Sequence, residues 1–334
     1  MSGRRPLRAA IVGAGLMGRW HADAVDHAGG TVSAIVDAAP DRAAALARRY
    51  GARPVGTLAA ILDAVDVVHV CTPTGSHEAL AGEAINVGRH VLVEKPMAVT
   101  AAATSSLLAR AEARGVLLCP VHQFPWQPGV RRLTAALPRL GPVRHVDFTA
   151  CSAGATAARL AEADTIALEI LPHPLSLLAH LLPAALSAPW TARRSGPGEW
   201  RLTAEAAGAT VSVVVSMTGR PTRNEVRLIA DGGTAHLNLF HGFAVVEPGA
   251  VSRRRKIGQP FALAAATGLA AARNLVTRAA RGEAAYPGLR ALVVAFYGAI
   301  GDGAPSPVAA SEAIAIAAII DHVRAMQPPP APDQ

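Results

Sequence analysis

Within the first 120 residues of this 334-residue chain, short and largely apolar runs alternate with segments of helical period. That rhythm limits the fold more than any other feature of the sequence. The strand-like runs lie at 9–13, 32–36, 67–71, 90–94 and 116–120, and helical patterns fill 16–29, 41–50, 57–63, 76–88 and 100–114. Strands apolar on both sides must be covered on both faces, which is the condition of a parallel sheet flanked by helices. Right-handed crossovers then wind that sheet doubly.

Beyond residue 125 the rhythm changes. Strand patterns at 144–152, 200–206, 210–218, 225–232 and 234–240 follow one another, with one helix near 172–182 among them, and helices return at 261–281, 288–301 and 309–326. Consecutive strands joined by turns such as Asp231-Gly232-Gly233 predict a mainly antiparallel sheet. The expected fold class is therefore α/β, an N-terminal doubly wound parallel sheet followed by an α+β domain. The expected boundaries are 1–122 for the first domain and 123–325 for the second, with 326–334 a disordered tail. The C-terminal helices are free to pack back on the first domain. A length of this order suits two domains, and 51% hydrophobic residues exclude disorder over the whole chain.

Charge and cysteine content narrow the partners. The 32 basic residues exceed 24 acidic ones by eight, but 30 are Arg and two are Lys, Lys95 and Lys256. Arg this dominant in an Ala-rich chain reads as compositional bias, so no nucleic-acid partner is expected. The run Arg253-Arg254-Arg255-Lys256 reads as a solvated loop. Cys71, Cys119 and Cys151 are odd in number and in no metal-ligand spacing, so a reduced, cytoplasmic setting without metal is expected. The longest weakly polar run, 261–272, is too short and Ala-rich to span a bilayer, and no membrane partner is expected.

The sharpest motif is Gly13-Ala14-Gly15-Leu16-Met17-Gly18, which closes an apolar strand and opens a helical pattern. Gly13 permits the tight turn, Gly15 lets backbone approach a pyrophosphate, and Gly18 lets helix and strand pack closely. The helix beginning at Leu16 and Met17 offers unpaired N–H groups and a positive dipole to phosphates. Asp37, nineteen residues after Gly18, ends the second strand, where a carboxylate accepts from ribose hydroxyls and repels a 2′-phosphate. NAD is the expected cofactor, and Arg42 keeps NADP open.

A second constellation closes later strands: Cys71-Thr72-Pro73-Thr74-Gly75-Ser76-His77 after the fourth, and Glu94-Lys95-Pro96 after the fifth. Ligands of doubly wound sheets bind at these carboxyl ends. Lys, unlike Arg, can give up its proton, which makes Lys95 a candidate catalytic group. A surface lysine beside a turn would look the same in sequence.

The fingerprint, Thr72-Pro73, Glu94-Lys95-Pro96 and the segment Glu169…His173 together resemble the Gfo/Idh/MocA oxidoreductases. The resemblance extends over essentially the whole chain. It implies NAD(P)-dependent hydride transfer at a carbinol or carbonyl carbon, usually of a sugar or cyclitol. It gives Lys95 the catalytic position and makes Thr72, Pro73, His77, Glu94 and Gln123 expected neighbours of the cofactor. It also implies a homodimer or homotetramer formed through the C-terminal sheet. In the segment Ala167-Leu168-Glu169-Ile170-Leu171-Pro172-His173-Pro174, Glu169 stands where relatives carry Asp, and Leu171 where they carry glycine. A helix starting near Pro172 would put His173 in its first turn, able to relay a proton with Glu169 beside it. A core histidine with Glu169 paired to an arginine is the plainer alternative. The stretch 122–128 lacks the arginine many relatives have there. Tyr286-Pro287-Gly288-Leu289 and Phe296-Tyr297 resemble members acting on nucleotide sugars or surface glycans. An imine or enone reductase, and a non-catalytic dinucleotide-binding sensor or partner subunit, remain alternatives to the sugar dehydrogenase.

Overall fold

The computed structural model describes residues 5–152, 162–249 and 252–326; of the expected tail, residues 327–334 lie outside them. The chain divides into two units, one reaching to Gln123 and including Leu289–Ala318, the other comprising Phe124–Gly288 and residues from Ile319 on.

The first unit alternates β1 (Arg8–Val12), α1 (Leu16–His27), β2 (Thr31–Val36), α2 (Pro40–Tyr50), β3 (Arg53–Val55), β4 (Val67–Val70), α3 (His77–Asn86), β5 (His90–Val93), α4 (Ala101–Ala113) and β6 (Leu118–Pro120). All six strands pair in parallel in the order β3-β2-β1-β4-β5-β6. The order reverses between β1 and β4, which opens the crevice of a doubly wound sheet at the carboxyl ends of these strands. Ala10, Ile11, Ile35, Val68 and Val91 are fully buried because helices cover both faces, as their uninterrupted apolar character requires. The segment 57–63 departs from expectation: it forms turns and one 3-10 turn, Leu62–Ala64. Seven residues cannot repay helix nucleation without more packing than this edge provides. The short β3, with Pro54 inside it, sits at the sheet edge, where a missing N–H costs no ladder bond.

The second unit holds α5 (Pro128–Leu140), β7 (Val143–Cys151), α6 (Ala163–Ile170), α7 (Pro172–Leu181), β8 (Thr191–Gly196), β9 (Glu199–Ala206), β10 (Ala209–Ser216), β11 (Arg223–Ala230), β12 (Gly233–Asn238), β13 (Phe243–Pro248) and α8 (Arg253–Ala280). Its seven strands run in the order β13-β12-β11-β7-β10-β9-β8; β7 and β10 are parallel and every other pair is antiparallel. Along β10 burial alternates residue by residue, so Val211, Val213 and Val215 face a packed side and Ser212 and Val214 the other. The helices α5 and α6 were not expected from sequence. Pro128 at the first position of α5 and Pro138 near its end read as loop signals, yet the first is a favoured start and the second lies one turn from the end. The basic run 253–256 is a further correction, for it opens α8 rather than lying in a loop. Two more helices follow, α9 (Leu289–Asp302) and α10 (Ala310–Ala325).

The start of α6 is tied to the sheet by one carboxylate. Asp164 accepts from the Arg194 guanidinium (2.9–3.1 Å), the Gly198 N–H (2.9 Å) and the buried Trp200 indole N–H (2.8 Å). Burial pushes its pKa up, but these donors outweigh that and hold it below the ordinary carboxylate range. Its stabilising effect is therefore complete above the unfolded value and is lost as pH falls through the lowered one. Asp164→Ala leaves the indole N–H without its acceptor and is expected to lower unfolding stability by about 2 kcal/mol at neutral pH. Urea unfolding, repeated in acid where the difference should shrink, checks this.

Candidate active site

Three glycines of the fingerprint are required for three different reasons. Gly13 has φ +97°, and a Cβ there would meet the Cys71 carbonyl oxygen at 2.7 Å. A Cβ on Gly18 would lie 1.8 Å from the Gly13 carbonyl oxygen, so α1 packs on the turn at glycine distance. Gly15 meets nothing within 4 Å and leads into Leu16 and Met17 at the start of α1, whose first turn carries no acidic residue. An open approach to a helix N-terminus fits a phosphate group.

Asp37 is buried and does more than sequence reasoning assigned to it. It accepts from Ala14 N–H (2.8 Å), bracing the glycine turn, and from Ala39 N–H (2.8 Å) and Arg42 (2.9 Å). Burial raises its pKa, but the two backbone donors and Arg42 prevail and hold it below the ordinary carboxylate range. Arg42 is thus engaged with the carboxylate it was expected to compete against.

The loops after β4 and β5 are coupled by His77. This buried ring lies 2.8 Å from both the Thr72 and Pro96 carbonyl oxygens. With each ring nitrogen facing a backbone oxygen, His77 braces both loops rather than offering a nitrogen to a ligand. Ser76 ties the same turn through Thr72 Oγ1 (2.7 Å) and the Pro73 carbonyl (2.9 Å).

Behind Lys95 runs a buried chain of rings. Glu94 accepts from the Lys95 N–H (3.1 Å) and faces His21 Nε2 at 3.1 Å; His21 Nδ1 lies 2.9 Å from His69 Nδ1, and His69 Nε2 lies 2.9 Å from the Tyr297 hydroxyl. Burial raises the Glu94 pKa, but the hydrogen bond and charge of His21, then Lys95, bring it below the ordinary value. Burial, reinforced by His21, holds His69 far below the usual imidazole range. An ionised Glu94 can only accept. His21 therefore donates to it from Nε2, and the His21–His69 and His69–Tyr297 contacts continue the chain behind it. Sequence reading missed His21, His69 and Tyr297 as a set. The one visible signal was His69, a polar residue in an otherwise apolar strand.

Lys95 itself is half-buried, at the carboxyl end of β5. Gln123 is buried, and among the described residues its Oε1 has no hydrogen-bond partner. Such an orphan acceptor points to a ligand donor. Its neighbour His122 faces Glu312 at 3.0 Å.

On the second unit, α7 starts with Pro172 at its first position and carries His173 in its first turn, as the prolines predict. Glu169 lies in the last turn of α6. Leu171 between them keeps helical dihedrals (−56°, −31°) and is fully buried, so Glu169 and His173, four residues apart, fall on one side. The His173 ring stacks on Phe124, centroids 4.2 Å apart and planes within 10°. Among the described residues, no helix is long and apolar enough to cross a membrane, and no group of three His, Cys, Asp or Glu could hold a metal.

The first unit is a dinucleotide-binding Rossmann domain by its strand order and its fingerprint. Residues 7–122 match the model of the Gfo/Idh/MocA oxidoreductase family, described as an NAD-binding Rossmann fold. It is 32% identical over 126 residues to 4-carboxy-2-hydroxymuconate-6-semialdehyde dehydrogenase of Sphingobium, a match covering 36% of this chain and 40% of that protein. It is 31% identical over 130 residues to UDP-N-acetylglucosamine 3-dehydrogenase of Acidithiobacillus ferrooxidans, covering 39% and 41%. The chain thus spans about two fifths of the length of these curated relatives. Solved structures agree over nearly all of it. The Acidithiobacillus enzyme GnnA superposes with a TM-score of 0.74 at 19% identity, covering 96% of this chain and 97% of that one. GenD2 from gentamicin A biosynthesis, solved with NAD, gives 0.73 at 25% identity, covering 98% and 96%.

His69→Leu removes a partner from both His21 and Tyr297 and is expected to cost about 2 kcal/mol of stability. Tyr297→Phe should then add little in that background, because its hydrogen bond is already gone. A double-mutant unfolding cycle reads this coupling.

Proposed function

We propose that this chain is an NAD-dependent oxidoreductase moving a hydride between nicotinamide and a carbinol or carbonyl carbon of a sugar, cyclitol or nucleotide-sugar-like substrate. The observation that carries the proposal is Lys95, held beside an ionised, buried Glu94 at the carboxyl end of β5 in a doubly wound sheet. Relatives named UDP-N-acetylglucosamine 3-dehydrogenase, inositol 2-dehydrogenase 1 (Saccharopolyspora erythraea) and scyllo-inositol 2-dehydrogenase (Bacillus subtilis) support the substrate class.

In this proposal the first unit is the dinucleotide domain. Gly13, Gly15, Gly18 and the backbone of Leu16 and Met17 receive the pyrophosphate, Asp37 receives the ribose hydroxyls, and Thr72, Pro73 and Gln123 border the nicotinamide. His77 serves that site from behind, by holding its two loops. The bound nicotinamide supplies the hydride acceptor or donor. Lys95 polarises the substrate oxygen or takes its proton, and Glu94 keeps the ammonium in place by charge. The second unit is the substrate domain, with His173 as its acid–base group, oriented by Phe124 stacking and by Glu169. Its sheet, packed on one side along β10, supports association of copies through the other. The three cysteines carry no disulfide, which supports a cytoplasmic site of action.

NADH fluorescence titration and turnover on cyclitols, sugars and nucleotide sugars test the proposal; no NADH binding would sink it. Lys95→Arg keeps the charge but not the titratable ammonium, and is expected to bind NADH normally while losing about a hundredfold in kcat. Asp37→Asn should lower the preference for NAD over NADP by about tenfold, the scale of one charged hydrogen bond. Unchanged selectivity would remove Asp37 from the ribose site.

A further inference from the structure

Two histidines interrupt an apolar layer of the first unit. The buried side of α1 consists of Gly18, Ala22, Ala24 and Val25, with His21 fully buried among them. His69 is equally buried in β4, between Val68 and Val70 in sequence. The two rings meet edge to face, centroids 5.2 Å apart and planes at 86°. Buried polar rings give no more stability than apolar side chains of similar volume would. The reason for them lies in what they touch.

They lead to Glu94. Gly18, packed at glycine distance on the Gly13 turn, brings α1 close enough for His21 Nε2 to reach one Glu94 carboxylate oxygen at 3.1 Å. His69 faces the other nitrogen of that ring at 2.9 Å. The second carboxylate oxygen accepts from the Lys95 N–H, so both oxygens are engaged in the turn that carries Lys95. Burial alone pushes the Glu94 carboxyl up; of the groups opposing it the His21 hydrogen bond contributes most, then the His21 charge, then Lys95. The Cys71 thiol also acts on Glu94, but burial and then Glu94 itself push it far up, so it brings no charge. His69, behind His21, is kept neutral by burial.

We propose that His21 is a positioning residue of the hydride-transfer site: its Nε2–H anchors the Glu94 carboxylate, and Glu94 in turn holds the Lys95 ammonium at the substrate oxygen. This rests on the oxidoreductase reading above. Without the donor at His21, burial prevails and Glu94 takes up a proton, which leaves Lys95 without its counter-charge.

His21→Met and His21→Gln test it, being of similar length while only Gln carries a donor. In His21→Met, kcat is expected to fall about tenfold at neutral pH, the scale of one hydrogen bond to a charged group, with the Kd for NADH unchanged. It should recover toward the wild-type value as pH rises through the elevated Glu94 pKa, because the carboxylate is ionised above it. His21→Gln should keep a kcat near wild type with no such pH dependence. A loss that is equal at every pH, or equal in both variants, overturns the proposal and assigns His21 to packing. Glu94→Gln, permanently neutral, should lose about tenfold as well, without recovery at high pH. It decides the matter if neither His21 variant folds, and an unchanged kcat there overturns the proposal. Infrared spectroscopy reads the same event without turnover. A protonated-carboxyl stretch should appear at neutral pH in His21→Met and be absent from wild type and from His21→Met/Glu94→Gln. Its absence from His21→Met overturns the proposal even where turnover is seen. Its presence without any wild-type turnover overturns the oxidoreductase reading and leaves the His21 anchor standing.

Discussion

A buried carboxylate organises the centre of the first unit. Glu94 has lost its water, and a charge in that position is tolerated only with hydrogen-bond donors around it. His21 from α1, immediately beyond the fingerprint, and the Lys95 N–H supply them. The chain continues behind it: His21 Nδ1 faces His69 of β4, and Tyr297 in α9 completes the series. One buried carboxylate thus ties the glycine turn, two central strands and a helix nearly three hundred residues along the chain to the lysine at the site.

The site loops repeat this economy. Asp37 braces Ala14 of the glycine turn with one oxygen and the start of α2 with the other, and His77 bridges the Thr72 and Pro96 carbonyls. Residues that read in sequence as ligand contacts thus also act as struts, which holds the crevice in shape before any ligand arrives. His77 moves furthest from its sequence-level role, because both nitrogens face backbone.

Much of the first unit was legible because its signals are local. Apolar runs at 9–13, 67–71 and 90–94 can be satisfied only in a covered parallel sheet, and Gly13, Gly15 and Gly18 answer to backbone geometry within six residues. The second unit was less legible. α5 hid behind prolines that tertiary packing accommodates, α6 is only eight residues long, and the edge strand β8 buries no residue that would give it an apolar period. The basic run 253–256 looked like a loop because charge patterning does not reveal whether a solvated segment is helical.

The sequence by itself determined the parallel sheet, the position of the dinucleotide turn, and the presence of one titratable lysine at a strand end, since each follows from periodicity, glycine sterics or residue chemistry within a short window. Only the tertiary structure decided that His69 and Tyr297 complete a buried hydrogen-bonded chain to Glu94, because hydrogen-bond partners 228 residues apart leave no local trace. It also decided which way α8 faces. A helical period states that faces differ, but only packing leaves Ile257, Phe261, Leu275 and Val276 exposed while Asn274 and Arg278 bond the His241 carbonyl.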